Sequence, residues 1–188
     1  MLQICRGVPL AIFIAGLSGC TPLSGPTSPP PSTTHPDFQL NEGYSLLYHL
    51  LNKDRQVAGI FILKSADPNL KDLIHRIGQA CQTARDRLNQ FAEDDKQLKF
   101  NVDDLPYIEQ RSRELQESDD RSALLASHGE PFERRLIFTQ AQAMNYVVQL
   151  SRALQEKEPN PQRKAFLHVL QMQCTQFHDQ LMTHLRAV

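Results

Sequence analysis

The sequence predicts an all-α protein, and three observations lead to this prediction. Apolar residues recur at intervals of three and four over four long segments, which is the period of an amphipathic helix. A polar residue followed by proline, a common helix start, precedes the later segments at Asp67-Pro68, Glu130-Pro131 and Asn160-Pro161. No segment alternates apolar and polar residues as a half-buried strand does. We therefore expect four long amphipathic helices that pack into a bundle.

The first 19 residues have the three parts of an export signal. Positive charge comes from the amino terminus and Arg6, residues 7–16 are apolar, and the small pair Ser18 and Gly19 follows. The apolar run has about ten residues, whereas a helix needs roughly 20 to cross hydrocarbon. Residues 1–19 are therefore predicted to be a signal peptide.

Leu17, Ser18, Gly19 and Cys20 resemble the lipobox of bacterial lipoproteins. The resemblance implies that the Cys20 thiol carries diacylglycerol, that the preceding peptide is cleaved and that the new amine is acylated. Two or three acyl chains together anchor a protein stably to a membrane. Thr21 follows the cysteine where the family's inner-membrane signal has Asp, which favours an outer-membrane protein of the cell envelope that faces the periplasm. An ordinary secretory signal or a buried amino-terminal helix is the alternative.

Residues 20–38 are predicted to be a disordered linker that begins at the lipidated Cys20. Six prolines lie between residues 21 and 36, with Ser, Thr and Gly and almost no apolar side chains. Such a segment buries too little surface to offset the entropy of ordering it. In polyproline II geometry, at about 3.1 Å per residue, it spans up to roughly 50 Å. A proline-rich ligand for a partner is the alternative.

Residues 39–188 are long enough for a single helical domain with its own core. Removing residues 1–19 takes away one Arg and no acidic residue, which leaves a net charge of −2. Charges of both signs are mixed along the chain, whereas a nucleic-acid surface needs a clustered basic face. We expect no nucleic-acid partner.

The four helices follow from their apolar stripes. The first two stripes are Leu47, Leu50, Leu51, Asp54, Ala58, Phe61 and Ile62, and then Leu70, Leu73, Ile74, Ile77, Cys81, Ala84, Leu88 and Phe91. The last two are Ile137, Gln140, Ala141, Met144, Val148, Ser151 and Leu154, and then Phe166, Leu170, Cys174, Phe177, Leu181 and Leu185. Asp67 and Asn160 are good amino-terminal caps. Glu130 is a poorer one, so the third helix begins near Ser127 or near Pro131.

Between the second and third helices, residues 99–129 are more polar and predict a crossover with one or two short helices. A long crossover lets these two helices run parallel, as in ferritin-like bundles, whereas short loops give an up-down bundle. Across residues 42–186 the helix order and lengths resemble periplasmic ferritin-like helical proteins of unknown function. Di-iron members of the ferritin-like class carry Glu-x-x-His motifs. No histidine of this chain follows a glutamate by three, so the di-iron ligand pattern is absent.

Asp54 and Gln140 are polar residues on otherwise apolar stripes. A buried polar group needs hydrogen-bond partners. We interpret the two as a buried polar layer that fixes the register of the helices, ahead of a ligand site.

Cys81 and Cys174 are the cysteines of the domain, because Cys5 leaves with the signal and Cys20 is lipidated. Export places them where disulfides persist, and a disulfide forms if their Cα atoms come within roughly 4.4 to 6.8 Å. The alternative is a pair of buried free thiols. A thiol redox enzyme is not indicated, because the chain has no Cys-x-x-Cys motif.

Cys174, His178 and Met182 are weak candidates for a copper or zinc site, because their donor atoms suit these metals. Their spacing of four advances only about 40° per step around a helix. Core packing and an ordinary surface histidine explain the same residues. We expect no cofactor beyond the covalent lipid on Cys20.

No nucleophile elbow or phosphate-binding loop occurs, so the sequence does not indicate an enzyme. The expected function is that of a non-catalytic binding or structural module, anchored to the membrane and able to meet an envelope protein. A ferritin-like or copper-handling metal-binding protein is the alternative.

Overall fold

The computed structural model describes residues 36–101 and 107–187. Five α-helices follow one another: α1 (Pro36–Asp54), α2 (Pro68–Asp94), α3 (Tyr107–Ala126), α4 (Gly129–Lys157) and α5 (Pro161–Ala187). A 3₁₀ helix, Val57–Ile62, separates α1 from α2. The described residues contain no strand, which confirms the all-α prediction. The predicted signal peptide, Cys20 and linker residues 20–35 lie outside the described residues, and α1 begins at Pro36.

The first helix ends earlier than its apolar stripe predicts. The backbone N–H of Arg55 still bonds to the carbonyl of Leu51, four residues back, over 3.1 Å. The N–H of Gln56 bonds instead to Lys53, only three residues back, and this tighter pattern leads into the 3₁₀ helix. Gly59 in this segment further disfavours α-helix. Ile62 therefore leaves the buried stripe and is 87% exposed.

The predicted caps of α2 and α5 are both present. Oδ1 of Asp67 accepts hydrogen bonds from the N–H groups of Asn69 at 2.8 Å and Leu70 at 3.2 Å. Oδ1 of Asn160 accepts two bonds in the same way at the start of α5. The third predicted helix, α4, begins between its two predicted starts, at Gly129, whose φ of 58° suits a residue without a side chain.

The crossover holds one helix of 20 residues, α3, where the sequence predicts one or two short helices. The apolar spacing predicts too short a helix here, because most side chains of α3 are polar. Polar pairs support it instead, including Arg111 with Glu114 at 3.0 Å on its own surface.

The core lies between α1, α2, α4 and α5. The most extensive contact joins α4 and α5; α1 packs on α2 and α4, and α5 also packs on α2. The largest fully buried side chains are Tyr44, Leu47, Leu51, Leu70, Leu73, Ile74, Ile77, Leu88, Phe132, Leu136, Ile137 and Met144. Gly78 allows α2 to approach the end of α1 closely, since a Cβ there would lie 3.2 Å from the carbonyl oxygen of Arg55. None of the described helices has the length and apolar character that a membrane span requires.

Candidate functional site

The two polar residues of the predicted layer lie in the interior but are not bonded to each other. Asp54 ends α1 with 8% of its surface exposed, and Gln140 on α4 has 7% exposed. Oδ2 of Asp54 and Oε1 of Gln140 both lack a hydrogen-bond partner among the described residues. The predicted layer is therefore a pair of buried polar groups with unmet hydrogen-bonding capacity, which costs free energy.

Asp54 has an altered acidity because of this burial. Loss of hydration raises the pKa of its carboxyl group to about 7, and the nearby Lys53 ammonium offsets only part of the effect. A carboxyl group with a pKa near 7 is divided between its neutral and ionised forms at physiological pH.

Cys81 on α2 and Cys174 on α5 are both buried, and both carry free thiols in this structure. Burial raises the pKa of Cys174 to about 12 and that of Cys81 well above its usual value, and the charge of Asp54 adds to both shifts. The carboxylate of Asp54 is thus close enough to both thiols to act on them electrostatically. The thiolate is the reactive form of cysteine, so these shifts make both side chains poor nucleophiles. The disulfide stays a prediction.

The structure separates the environments of the three metal candidates. Cys174 is buried, Met182 packs against the edge of the core, and His178 is one-third exposed with Nδ1 3.3 Å from Oδ1 of Asp179. Within residues 36–101 and 107–187, no three His, Cys, Asp or Glu side chains are grouped so that they could hold a metal ion.

Two shallow depressions on the described surface lie away from these groups. One follows a single face of α5 from Val169 to His184. The other is lined by residues that include Arg55, His75 and Gln82. Neither includes Asp54, Gln140 or a cysteine.

A buried polar network that the sequence does not predict joins three parts of the fold. Oη of Tyr44 donates to Oε2 of Glu158 over 2.5 Å, and the Glu158 side chain is completely buried. Arg163 bonds to Oε1 of Glu158 at 3.0 Å and to Oδ2 of Asp95 at 2.6 Å. Oε1 of Glu158 also accepts from the N–H of Asn160 over 2.8 Å. We call Tyr44, Asp95, Glu158 and Arg163 the clasp, because they join α1, the end of α2 and the α4–α5 turn.

The clasp also alters acidity. Burial, and then the hydrogen bond to Glu158, raise the pKa of Tyr44 far above its usual value. The bond from Arg163 lowers the pKa of Asp95. Burial would lower the pKa of Arg163, but its bonds to Glu158 and Asp95 outweigh that effect and raise it. These side chains are held as structural partners, since each is already engaged within the protein.

The backbone of the segment after α2 is hydrogen-bonded to side chains of α1. The side-chain amide of Asn41 donates to the carbonyl of Lys99 over 2.9 Å and accepts from the N–H of Lys99 over 2.7 Å. Ser45 Oγ donates to the same carbonyl, and the rings of Tyr48 and Phe100 stack with centroids 4.7 Å apart.

Helix α3 lies against α1 and α4 through polar contacts. Glu117 pairs with Lys53 of α1, and Arg113 donates to Oη of Tyr146 of α4 over 2.6 Å. Burial, and then the nearby cations, lower the pKa of Lys53. Surface ion pairs contribute little to stability each, so these few polar contacts hold α3 only weakly against α1 and α4.

The end of the 3₁₀ helix exposes two consecutive aliphatic residues. Ile62 is 87% exposed and Leu63 is 72% exposed; we call this pair the apolar tip. Next to it, Nζ of Lys64 bonds to the carbonyls of Leu125 at 2.6 Å and Ser127 at 3.0 Å, which fixes the tip beside the end of α3. The sequence placed Ile62 on a core-facing stripe, and its exposure follows from the early end of α1.

Comparison of the chain with models of known protein families, with curated proteins and with solved structures finds no match.

Proposed function

We propose that this chain is a lipoprotein of the bacterial cell envelope, anchored through Cys20, whose helical domain is a non-catalytic binding or structural module. The observation that carries the proposal is the resemblance of Leu17, Ser18, Gly19 and Cys20 to a lipobox, together with the six prolines between residues 21 and 36. An outer-membrane location facing the periplasm is part of the proposal, on the basis of Thr21.

The environments of the two cysteines and of the clasp support a module without catalysis. Both cysteines of the domain are buried with raised pKa values. Glu158 and Arg163 are bonded to each other and to further protein groups in the clasp. These are the residue types that catalysis would use, and their environments suit stability instead. The partner of the module is proposed to be an envelope protein.

A ferritin-like order of helices is part of the same proposal. Tyr44, in the middle of α1, bonds to Glu158, which directly follows the end of α4. The end of α2 meets the start of α5 through Asp95 and Arg163. With short connections from α1 to α2 and from α4 to α5, these contacts favour a parallel α2 and α4, which is the arrangement of ferritin-like bundles with one crossover.

Acylation of Cys20 tests the proposal. Wild type and Cys20→Ser are expressed in a Gram-negative host, and their mass and membrane fractionation are compared. We expect fatty acyl groups on the wild-type cysteine, an amino terminus at residue 20, and neither in Cys20→Ser. A wild-type chain cleaved elsewhere and free of lipid would refute the anchor. Elemental analysis after loading with iron, copper and zinc tests the metal-binding alternative, which no described cluster favours.

A further inference from the structure

We propose that α3 is a pH-sensitive lid, which lies docked against α1 and α4 while His49 and His128 are neutral and is released when both histidines are protonated. The other four helices stay packed during this release. The lid belongs to the folded domain, so its release goes beyond the proposed function and does not require the lipid anchor.

Helix α3 adds little to the apolar core. No side chain of α3 that the structure describes is buried there. Leu124 packs against the edge of the core, while Leu115 and Leu125 are 50% and 42% exposed. Burial of apolar surface is the main force that stabilises folded proteins. Docking of α3 therefore depends on polar contacts, and a change of charge at these contacts can release it.

The contacts at the middle of α3 place His49 beside cations. Glu117 of α3 pairs with Lys53 of α1, and Arg113 of α3 bonds to Tyr146 of α4. His49 is partly buried on α1, one turn before Lys53. Burial, and then the charges of Lys53 and Arg113, lower the pKa of His49. The docked state thus favours the neutral ring, and protonation of His49 would add a third cation to this contact.

The other charged groups around this contact do not offset a new positive charge. Glu117 is already paired with Lys53, and Glu114 is paired with Arg111 over 3.0 Å. Arg121 of α3 acts on Lys53 as a further positive charge. A protonated histidine at this contact would therefore meet cations from α3 as well as from its own helix.

His128 lies beside a cation at the carboxyl-terminal end of α3. Nζ of Lys64 bonds to the carbonyls of Leu125 at 2.6 Å and Ser127 at 3.0 Å, and it lies 3.1 Å from Nε2 of His128. An ammonium group only donates hydrogen bonds, so Nε2 accepts and the ring is neutral with its proton on Nδ1. Protonation of Nε2 removes this acceptor and sets two cations against each other. The bonds that fix the end of α3 are then weakened.

The carboxylates that follow His128 in the sequence have other partners. Glu130 pairs with Arg134 over 2.8 Å. Glu133 accepts a hydrogen bond from the backbone N–H of Asp67 over 2.8 Å. A protonated His128 ring therefore faces the neighbouring ammonium group without a bond to either carboxylate.

The direction of the pH effect follows from these positions. A histidine whose pKa is lower in the docked state binds its proton more strongly after release. Docking is therefore favoured above the usual histidine pKa of 6.5 and weakens as pH falls below it. Each histidine changes the docking equilibrium constant by at most about tenfold per pH unit.

Asp54 makes the response of α3 differ from that of the bundle. The pKa of this buried carboxyl group is about 7, so it becomes neutral over the same fall in pH. Neutral Asp54 no longer offsets the charge of Lys53 at the contact with α3. It also removes the cost of a buried charge within the bundle. The bundle thus gains stability under the conditions that release α3.

Two tryptophan reporters test the inference, because the chain contains no tryptophan. Leu124→Trp in the full chain reports on α3, because Leu124 packs against the core. Phe166→Trp reports on the bundle, because the Phe166 ring packs against Phe91 with centroids 5.5 Å apart. Quenching by acrylamide is measured between about pH 8 and pH 5, where histidines titrate. We expect Leu124→Trp to become accessible as pH falls while Phe166→Trp stays protected.

Hydrogen exchange of the wild-type chain checks the result without a substitution. After correction for the intrinsic effect of pH on exchange, residues 107–126 should lose protection as pH falls. Residues of α2 and α5 should keep theirs. This measurement decides the matter if Leu124→Trp itself displaces α3.

Neutral substitutions assign the effect to the two histidines. His49→Gln and His128→Gln, each in the Leu124→Trp background, should reduce by about half the slope of the logarithm of the docking constant against pH. The double variant should keep α3 docked at low pH. His168→Gln, at an exposed site on α5, is the matched control and should leave the transition unchanged. Circular dichroism at each pH establishes that the variants are folded.

Three outcomes would overturn the inference. The first is protection of α3 that does not change with pH in the wild-type chain. The second is the same transition in wild type and in the double histidine variant, which would assign it to other groups. The third is exposure of both tryptophan reporters at the same pH, which would mean that the whole domain unfolds.

Discussion

The hydroxyl of Tyr44 lies 2.5 Å from Oε2 of Glu158, a residue 114 positions further along the chain. Both side chains are fully buried, so neither can turn to water if the bond is lost. The bond therefore determines how α1 meets the end of α4, and it makes the clasp the most direct target for tests of stability.

Tyr44→Phe should lower the free energy of unfolding by about 1.5 to 3 kcal/mol, the range for a hydrogen bond to a charged group. Urea unfolding followed by circular dichroism measures the change. Tyr107→Phe is the control, because Tyr107 is 72% exposed and its hydroxyl can bond to water. Equal effects of the two substitutions would contradict the role given to the Tyr44 hydroxyl.

Arg163→Met should lower the free energy of unfolding by more than Tyr44→Phe does, because it leaves the carboxylate of Glu158 buried without its cation. Removing one partner of a buried ion pair costs about 3 to 5 kcal/mol. Combining Arg163→Met with Glu158→Gln should destabilise by clearly less than the sum of the two single changes, as unfolding of all four proteins would show. Additive effects would mean that the two side chains do not depend on each other.

The stability of the protein should fall as pH rises through the window set by Asp54. Its pKa is about 7 in the folded protein and 3.8 when the group is solvated, so the folded state binds the extra proton between these values. The free energy of unfolding of Asp54→Asn should equal that of wild type near pH 3.8. Above a pH of about 7 it should exceed that of wild type by roughly 2 to 4 kcal/mol. The comparison with Asp54→Asn isolates this carboxyl group, because every other titrating group is common to the two proteins. An identical dependence of stability on pH in wild type and Asp54→Asn would contradict the burial of a neutral carboxyl group.

The thiols of Cys81 and Cys174 should resist modification in the folded, reduced protein. Because burial raises the pKa of both, few thiolates form at neutral pH and access is limited by opening of the fold. Reaction with a chromogenic disulfide before and after denaturation measures this protection, and Cys81→Ala and Cys174→Ala assign the signal. Rapid reaction of either residue in the native state would show that its surroundings open readily.

Local features of the fold could be predicted from the sequence, and contacts between distant residues could not. Asp67 and Asn160 act on the next few residues of their own helices, so their capping role is visible in the order of residue types. Ile62 shows the limit, because a stripe at helical spacing does not reveal that the backbone tightens after Asp54. Glu158 and Arg163 lie close in sequence, but their partners Tyr44 and Asp95 come from other helices. No local sequence pattern distinguishes the four clasp residues from ordinary polar residues.

The Asn41 side chain pairs with the backbone N–H and C=O of Lys99. This pairing therefore depends on the main chain at position 99 and does not depend on the Lys99 side chain. Position 99 should therefore accept almost any amino acid in homologous or randomised sequences, with proline as the exception because it has no N–H to offer. Position 41 should be restricted to a side chain that can donate and accept at once. Sequence conservation that maintains this contact should therefore appear at position 41 and not at position 99.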